Sequence, residues 1–217
     1  VDSPAFDAAR LLERYAGVRR GELPIKGDRI ASKAQEALRA ARRRAEGEPL
    51  QYLLGEWDFL NLTLEVGEGV LIPRPDTELL CETAAERLKR LGMPDSQPLR
   101  VLDLCAGSGC VGLGTASLTP GIAVTAVEYS AEALAYLRRN IAWYPELRVE
   151  PVRADVLRDA GRFPDGWAAI LSNPPYIPAA DLPGLMREVQ REPRLALDGG
   201  EDGLRFYRAI VRDWVGK

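Results

Sequence analysis

Asn173 ends a hydrophobic run and stands directly before Pro174, Pro175 and Tyr176, in the stretch LSNPPYIP. The two prolines fix φ at their own positions and restrict the residue before each. Neither carries an N–H, so the segment offers acceptors only: the Asn173 side-chain oxygen and the Pro174 carbonyl. Such a pair can grip both protons of a planar –NH2 group, and the face of Tyr176 can cover that flat group. A plain X-Pro-Pro loop is the bland alternative. It does not explain why an amide and a tyrosine bracket the prolines.

Three further segments carry polar or glycine-rich residues where an apolar run stops. Asp103-Leu104-Cys105-Ala106-Gly107-Ser108-Gly109 lets the backbone turn tightly and pass close to a ligand. The spacing of Gly107, Gly109 and Gly112 approaches G-x-G-x-x-G without matching the dinucleotide fingerprint, and such a turn can be purely structural. Glu128 ends the next run, at about the distance from the glycine turn where an acid binds ribose hydroxyls. Together the turn and the acid favour a nucleoside ligand. Asp155, with Val156 beside it, fits two roles equally well: an acceptor for an adenine amino group, or a helix cap.

Composition excludes several classes of chemistry. The chain has 217 residues and no histidine, which removes imidazole base catalysis and any plausible zinc ligand set, so no metal is expected. The 29 basic and 32 acidic residues leave a net charge of −3, a poor footprint for a nucleic-acid binder. The run Arg42-Arg43-Arg44 reads best as a solvated, dipole-complementing helix end. Cys81, Cys105 and Cys110 are too few and odd in number for a disulfide framework and suit a reducing compartment. No segment has the roughly 18 apolar residues of a membrane span, and no signal peptide is visible among Asp2, Asp7 and Arg10. A cytoplasmic, monomeric protein is expected. The start at Val1 rather than Met, and the stop soon after a fourth strand, lead us to expect a truncated chain.

Around these residues the hydrophobic pattern lays out the elements that must hold them. A first helix begins at Ser3 as N-cap with Pro4 in its first turn, and turns Ala8, Leu11, Leu12 and Tyr15 inward. A turn-rich stretch, Gly17 to Gly27, precedes a second helix from near Arg29 to Glu46, with Ile30, Ala34, Ala37, Leu38, Ala41 and Ala45 as its apolar stripe. Leu60, Leu62, Leu64 and Val66 alternate with polar residues, which is strand spacing. Pro73 and Pro75 forbid a regular element. Asp76 or Thr77 then caps a helix through about Leu91, with Leu80, Ala84, Leu88 and Leu91 inward. After Pro98, four near-continuous apolar runs alternate with helices, one of them capped by Ser130. That is the pattern of an α/β fold with a parallel sheet covered on both faces, and its ligands bind beyond the carboxyl ends of the strands.

At this point the sequence resembles a known family. NPPY with DLCAGSG is similar to the class I S-adenosylmethionine-dependent methyltransferases that act on amino or amide nitrogens. GEPLQYLLGEWDF, VLIPRPDTELL and EPRLALDGGEDGLRFYR narrow the likeness to the HemK/PrmC family, from about Gly47 to Tyr207. The resemblance implies a Rossmann-like class I methyltransferase sheet, lacking its C-terminal strands, behind a helical N-terminal substrate-recognition domain. The implied divisions are residues 1–48, a β-hairpin linker 49–72 and a catalytic domain 73–217. It implies methyl transfer from S-adenosylmethionine, leaving S-adenosylhomocysteine, to the glutamine of the Gly-Gly-Gln motif of peptide-chain release factors. Cys105, Ala106, Gly107, Ser108 and Gly109 would wrap the methionine part of the cofactor. Glu128 would take the ribose, and Asp155 and Val156 would flank the adenine. Asn173, Pro174, Pro175 and Tyr176 would hold the substrate amide, with Asn173 also near the cofactor and Arg74, Asp76, Thr77 and Glu78 closing over the site. The family usually has glycine and threonine at Cys105 and Ala106, and more often aspartate at Glu128. A nucleic-acid amino methyltransferase and an inactive cofactor-binding fragment are the alternative readings.

Overall fold

The computed structural model of the chain describes residues 3–17, 34–92 and 97–217. Most of the expected turn after Gly17, and the start of the second helix with Ile30, lie outside the described residues. No helix among the described residues is long and apolar enough to cross a membrane.

Two alanine-rich helices, α1 (Pro4–Ala16) and α2 (Ala34–Ala45), pack with a short helix α3 (Leu50–Leu54) that the sequence pattern did not reveal. Their shared core is Leu11, Ala40, Leu50, Leu53 and Leu54. Both long helices are turned somewhat from the expected faces. Leu11 and Ala37 are buried as expected, but Ala8, Leu38, Ala41 and Ala45 are exposed, and Asp7, Ala9, Ala40 and Arg44 are buried instead. The Ser3 hydroxyl makes no capping hydrogen bond.

One buried ion cluster accounts for the rotation of the helices. Arg44, expected to be solvated with its neighbours, pairs at 2.6 Å with both Asp7 of α1 and Glu188 of a distant loop. A charge leaves water only when matched in this way, and alanine periodicity cannot signal it.

Strands β1 (Glu56–Phe59) and β2 (Leu62–Glu65) form an antiparallel hairpin with Phe59 opposite Leu62. Leu60, expected to continue a strand, sits in the two-residue turn with φ of 53°. Its N–H donates to Glu78 Oε1 at 2.9 Å, which holds it in that left-handed conformation. Helix α4 (Pro75–Leu91) starts earlier than expected, with Arg74 as N-cap and no side-chain cap from Asp76 or Thr77. Proline is tolerated in a first turn because its missing N–H would be unpaired there anyway. Leu91 points to solvent, and Cys81 with Ala85 fills the inward face beside Ala84 and Leu88.

The central sheet comprises β3 (Arg100–Leu104), β4 (Ala123–Glu128), β5 (Val149–Arg153) and β6 (Ala169–Ser172), all parallel, in spatial order β5-β4-β3-β6. The chain therefore steps outward from β3 to β5, then crosses back to lay β6 on the other side of β3. That reversal creates a crevice between the β3 and β6 carboxyl ends. Helices α4, α5 (Cys110–Leu118) and α6 (Ala131–Trp143) cover one face through Leu88, Leu113, Val124, Leu134 and Leu137. Ser130 caps α6 as expected, its hydroxyl accepting from Ala133 N. The opposite face is closed by Ala160, Phe163 and the fully buried Trp214, whose Nε1 donates to Val156 O at 2.9 Å. Trp214 immediately follows helix α7 (Arg205–Asp213).

Asp103 in β3 is fully buried and ties α5 to the sheet, its Oδ2 accepting from Gly112 N at 2.9 Å. Its Oδ1 has no partner among the described residues. Burial pushes the carboxyl up to about 7, against the lowering effect of the Gly112 N–H. The unfolded chain holds this group at the ordinary value of 3.8, so the folded state binds the extra proton between the two values. The resulting stabilisation is complete below about pH 4 and is lost as pH rises through about 7. Relative to Asp103→Asn, the wild type should lose roughly 3–4 kcal/mol between those limits, measured by urea unfolding across pH 4 to 8. A constant difference would show that Asp103 does not titrate in that window.

Candidate active site

The crevice holds a cavity of about 540 Å³. Its floor is the loop that leaves β3. Cys105 takes φ of 62°, a region that favours glycine. Ala106 N then donates back to Val127 O at 3.0 Å, so the loop folds over the neighbouring strand. Gly109, at φ of 87°, is the N-cap of α5, and a Cβ there would lie 2.5 Å from Leu137. It positions the loop from behind and does not line the cavity, whereas Cys105, Ala106, Gly107 and Ser108 do. Burial pushes the Cys105 and Cys110 thiols up, so neither is an activated nucleophile.

Glu128 joins that floor to the next wall. Its Oε2 accepts from Gly107 N at 2.8 Å and its Oε1 from Ser130 N at 2.7 Å. Burial raises its pKa, and the backbone N–H groups oppose the rise. Each oxygen keeps a lone pair for a further donor. Asp155 and Val156 also line the cavity, and Asp155 Oδ1 accepts from Leu157 N at 2.9 Å. That bond closes a turn and does not cap a helix, since the next helical turn begins at Ala160, and the residue still borders the ligand space.

The last wall is the segment after β6. Ser172 Oγ donates to Leu104 O at 2.7 Å, pinning β6 beside β3. Asn173 lines the cavity, and its Nδ2 donates to Thr77 Oγ1 at 3.2 Å. No hydrogen bond among the described residues uses its Oδ1. Pro174 and Pro175 are buried, and only Pro175 lines the cavity. Tyr176 is 54% exposed and lies outside the lining. Ile177 pairs with the strand-like stretch at Asp198, donating to Leu197 O and accepting from Gly199 N. At Gly203, φ of 77°, a Cβ would collide with the Tyr176 carbonyl. The DGGEDG loop therefore templates the backbone that carries Asn173 to Tyr176.

Sequence reasoning did not give Glu192 a role. Its side chain is 2% exposed, accepts from Ile72 N at 3.0 Å and pairs with Arg74. Ile72, Pro73 and Arg74 line the cavity, as do Leu195 and Phe206. Nothing in the alternating charges of MREVQREPR separates the buried Glu192 from the partly exposed Glu188.

Comparison with known proteins shows the family of the chain. Residues 1–55 match the PrmC N-terminal domain, and residues 77–193 match the methyltransferase small domain. The release factor glutamine methyltransferase of Chlorobaculum tepidum is 41% identical, over 97% of this chain and 74% of its own. That of Geobacter sulfurreducens is 39% identical, over 97% and 72%. This chain belongs to the release factor glutamine methyltransferase family. The family enzyme of Deinococcus radiodurans is 38% identical, over 98% of this chain and 74% of its own. Among solved structures, the hMettl16 catalytic domain in complex with MAT2A 3′UTR hairpin 6 has a TM-score of 0.55 at 15% identity. It covers 84% of this chain and 62% of its own, a likeness of fold alone.

Replacing Glu192 by alanine should leave Ile72 N–H and Arg74 without their acceptor. Arg74 is 34% exposed, so water recovers part of the loss. The expected cost is about 2–3 kcal/mol in urea unfolding. A change below about 0.5 kcal/mol, the scale of an ordinary surface substitution, would remove Glu192 as the anchor of this wall.

Proposed function

We propose that this family member transfers a methyl group from S-adenosylmethionine to the side-chain amide nitrogen of the Gly-Gly-Gln glutamine in peptide-chain release factors. The observation that carries this reading is the Asn173 carboxamide at the cavity wall. Its Nδ2 is engaged by Thr77 and its Oδ1 is left for a guest. A release-factor substrate is a cytoplasmic protein, and the free thiols of Cys81, Cys105 and Cys110 suit that location.

The residues present fit the cofactor. A cavity of about 540 Å³ is within the ordinary range for small-molecule sites. Glu128 has acceptor capacity beyond its two backbone N–H partners, as ribose hydroxyls require. Val156 and Leu157 offer apolar contact beside Asp155 for a flat base. The loop Cys105 to Ser108 would face the methionine part, with Gly109 holding it from below. Bound there, the cofactor supplies a methyl carbon activated by its positive sulfonium sulfur.

The chain's own residues must then deal with a poor nucleophile. An amide nitrogen has its lone pair delocalised into the carbonyl, and the sequence holds no histidine to take a proton. Positioning supplies most of the rate. Asn173 Oδ1 and the Pro174 carbonyl would accept the two –NH2 protons and aim the nitrogen across the cavity. That nitrogen would gain positive charge as its new bond to carbon forms and the carbon–sulfur bond breaks, leaving S-adenosylhomocysteine, and it would then release a proton to solvent. Acceptors already in place stabilise the developing charge more than the ground state. Pro175 would close the ledge, and Tyr176 would cover the incoming amide from the rim.

Mass spectrometry of a release factor incubated with the protein and S-adenosylmethionine should reveal one added methyl on that glutamine. An unmodified glutamine overturns the reading. Asn173→Ala should slow transfer roughly 100-fold or more while changing cofactor affinity much less. Unchanged turnover would refute the acceptor role. Glu128→Ala should weaken cofactor binding by about 1–3 kcal/mol in calorimetry, and equal affinity would exclude Glu128 from the cofactor site.

A further inference from the structure

We infer that Thr77 is a positioning residue that decides which end of the Asn173 carboxamide faces the cavity. The inference rests on the methyl-transfer reading above and gives a specific task to Thr77, which lines the cavity and was expected only to help close over the site.

A carboxamide has two ends of nearly equal shape and opposite hydrogen-bonding character: the oxygen accepts, and the nitrogen donates. Turned oxygen-inward, Asn173 can accept from the –NH2 of a substrate amide. Turned the other way, it would set donor against donor and leave both unsatisfied. The terminal torsion of asparagine is broad and roughly two-fold, so the side chain does not choose for itself.

The backbone on both sides of Asn173 is already restrained. Ser172 is tied to Leu104 O on one side, and Pro174 and Pro175 fix the backbone on the other. The remaining freedom is the flip of the amide, and the bond from Nδ2 to Thr77 Oγ1 acts on that freedom.

Thr77 is well placed to decide it. It is 6% exposed and lies in the first turn of α4, its N–H bonded to Arg74 O at 2.9 Å. Just upstream, Glu192 clamps Ile72 and Arg74, so the hydroxyl is carried on a braced frame. The flanking acids do not compete: Asp76 is exposed, and Glu78 accepts from Leu60 N. A hydroxyl accepts from Asn173 only when its own proton points elsewhere. No hydrogen bond among the described residues uses that proton, so it can rotate away while the oxygen accepts from Asn173 Nδ2.

The test compares Thr77→Val, which keeps shape and removes the acceptor, with Thr77→Ser, which keeps the acceptor. Both are assayed for methylation of a release factor, for KM and kcat separately, and for S-adenosylmethionine binding by calorimetry. Thr77→Val is expected to lower kcat at least ~10-fold and to leave cofactor affinity within about two-fold. Thr77→Ser is expected to restore most of the rate. In an Asn173→Ala background, Thr77→Val should cost almost nothing more, because the group it orients is gone.

The inference is overturned if Thr77→Val turns over like wild type, if serine is as slow as valine, or if the valine loss persists in full without Asn173. Should valine not fold, Thr77→Ala is compared with Thr77→Ser under the same criteria. A wild-type protein that leaves the glutamine unmodified overturns the parent reading, and this assignment with it. That outcome is distinct from a defect confined to the variants.

Discussion

A single buried carboxylate holds the candidate site together. Glu128 accepts from the backbone of the glycine loop through one oxygen and from the turn before α6 through the other. That bridge joins two loops leaving adjacent strands at the cavity edge. Burial works against the charge, and the two aligned N–H groups offset that cost. The same acceptor capacity that organises the floor is what a hydroxyl-bearing ligand would use.

Long-range polar contacts extend this principle around the cavity. Asn140, fully buried in α6, bonds both the N–H and the carbonyl of Glu65 and also the Ser108 carbonyl. The hairpin and the glycine loop are thereby joined through one side chain. Glu192 performs the same task between the Ile72–Arg74 wall and the segment that leads to the DGGEDG loop. Arg44 links α1, α2 and Glu188, so the helical N-terminus leans on the loop that continues to Glu192. Such buried groups cost folding energy unless fully partnered. Here they specify how segments distant in the chain meet.

The ledge after β6 depends on two kinds of rigidity. Proline restricts the backbone locally, while the paired stretch at Asp198 and the close approach at Gly203 restrain it from outside. Cys105 stands out as a place where local preference is overruled. It occupies a left-handed position better suited to glycine, at a turn pinned through Ala106 to the neighbouring strand.

The amino-acid sequence alone determined the parallel α/β core, because near-continuous apolar runs such as Val101–Leu104 and Val124–Val127, broken only by Asp103 and Thr125, need burial on both sides. It also singled out the glycine turn, Glu128 and Asn173, residue types that interrupt apolar runs at strand ends, and the fold gathers them around one cavity. Tertiary structure decided the rest. Alanine-rich helices carry too weak a periodic signal to orient themselves, so the Asp7–Arg44 pair sets their faces, and Leu38 falls outside. Glu192 and Thr77 act on residues far away in the chain, and spacing reports only on neighbours along a helix or strand. Whether a given acid is buried and bonded, or merely solvated, depends on what the fold brings opposite it.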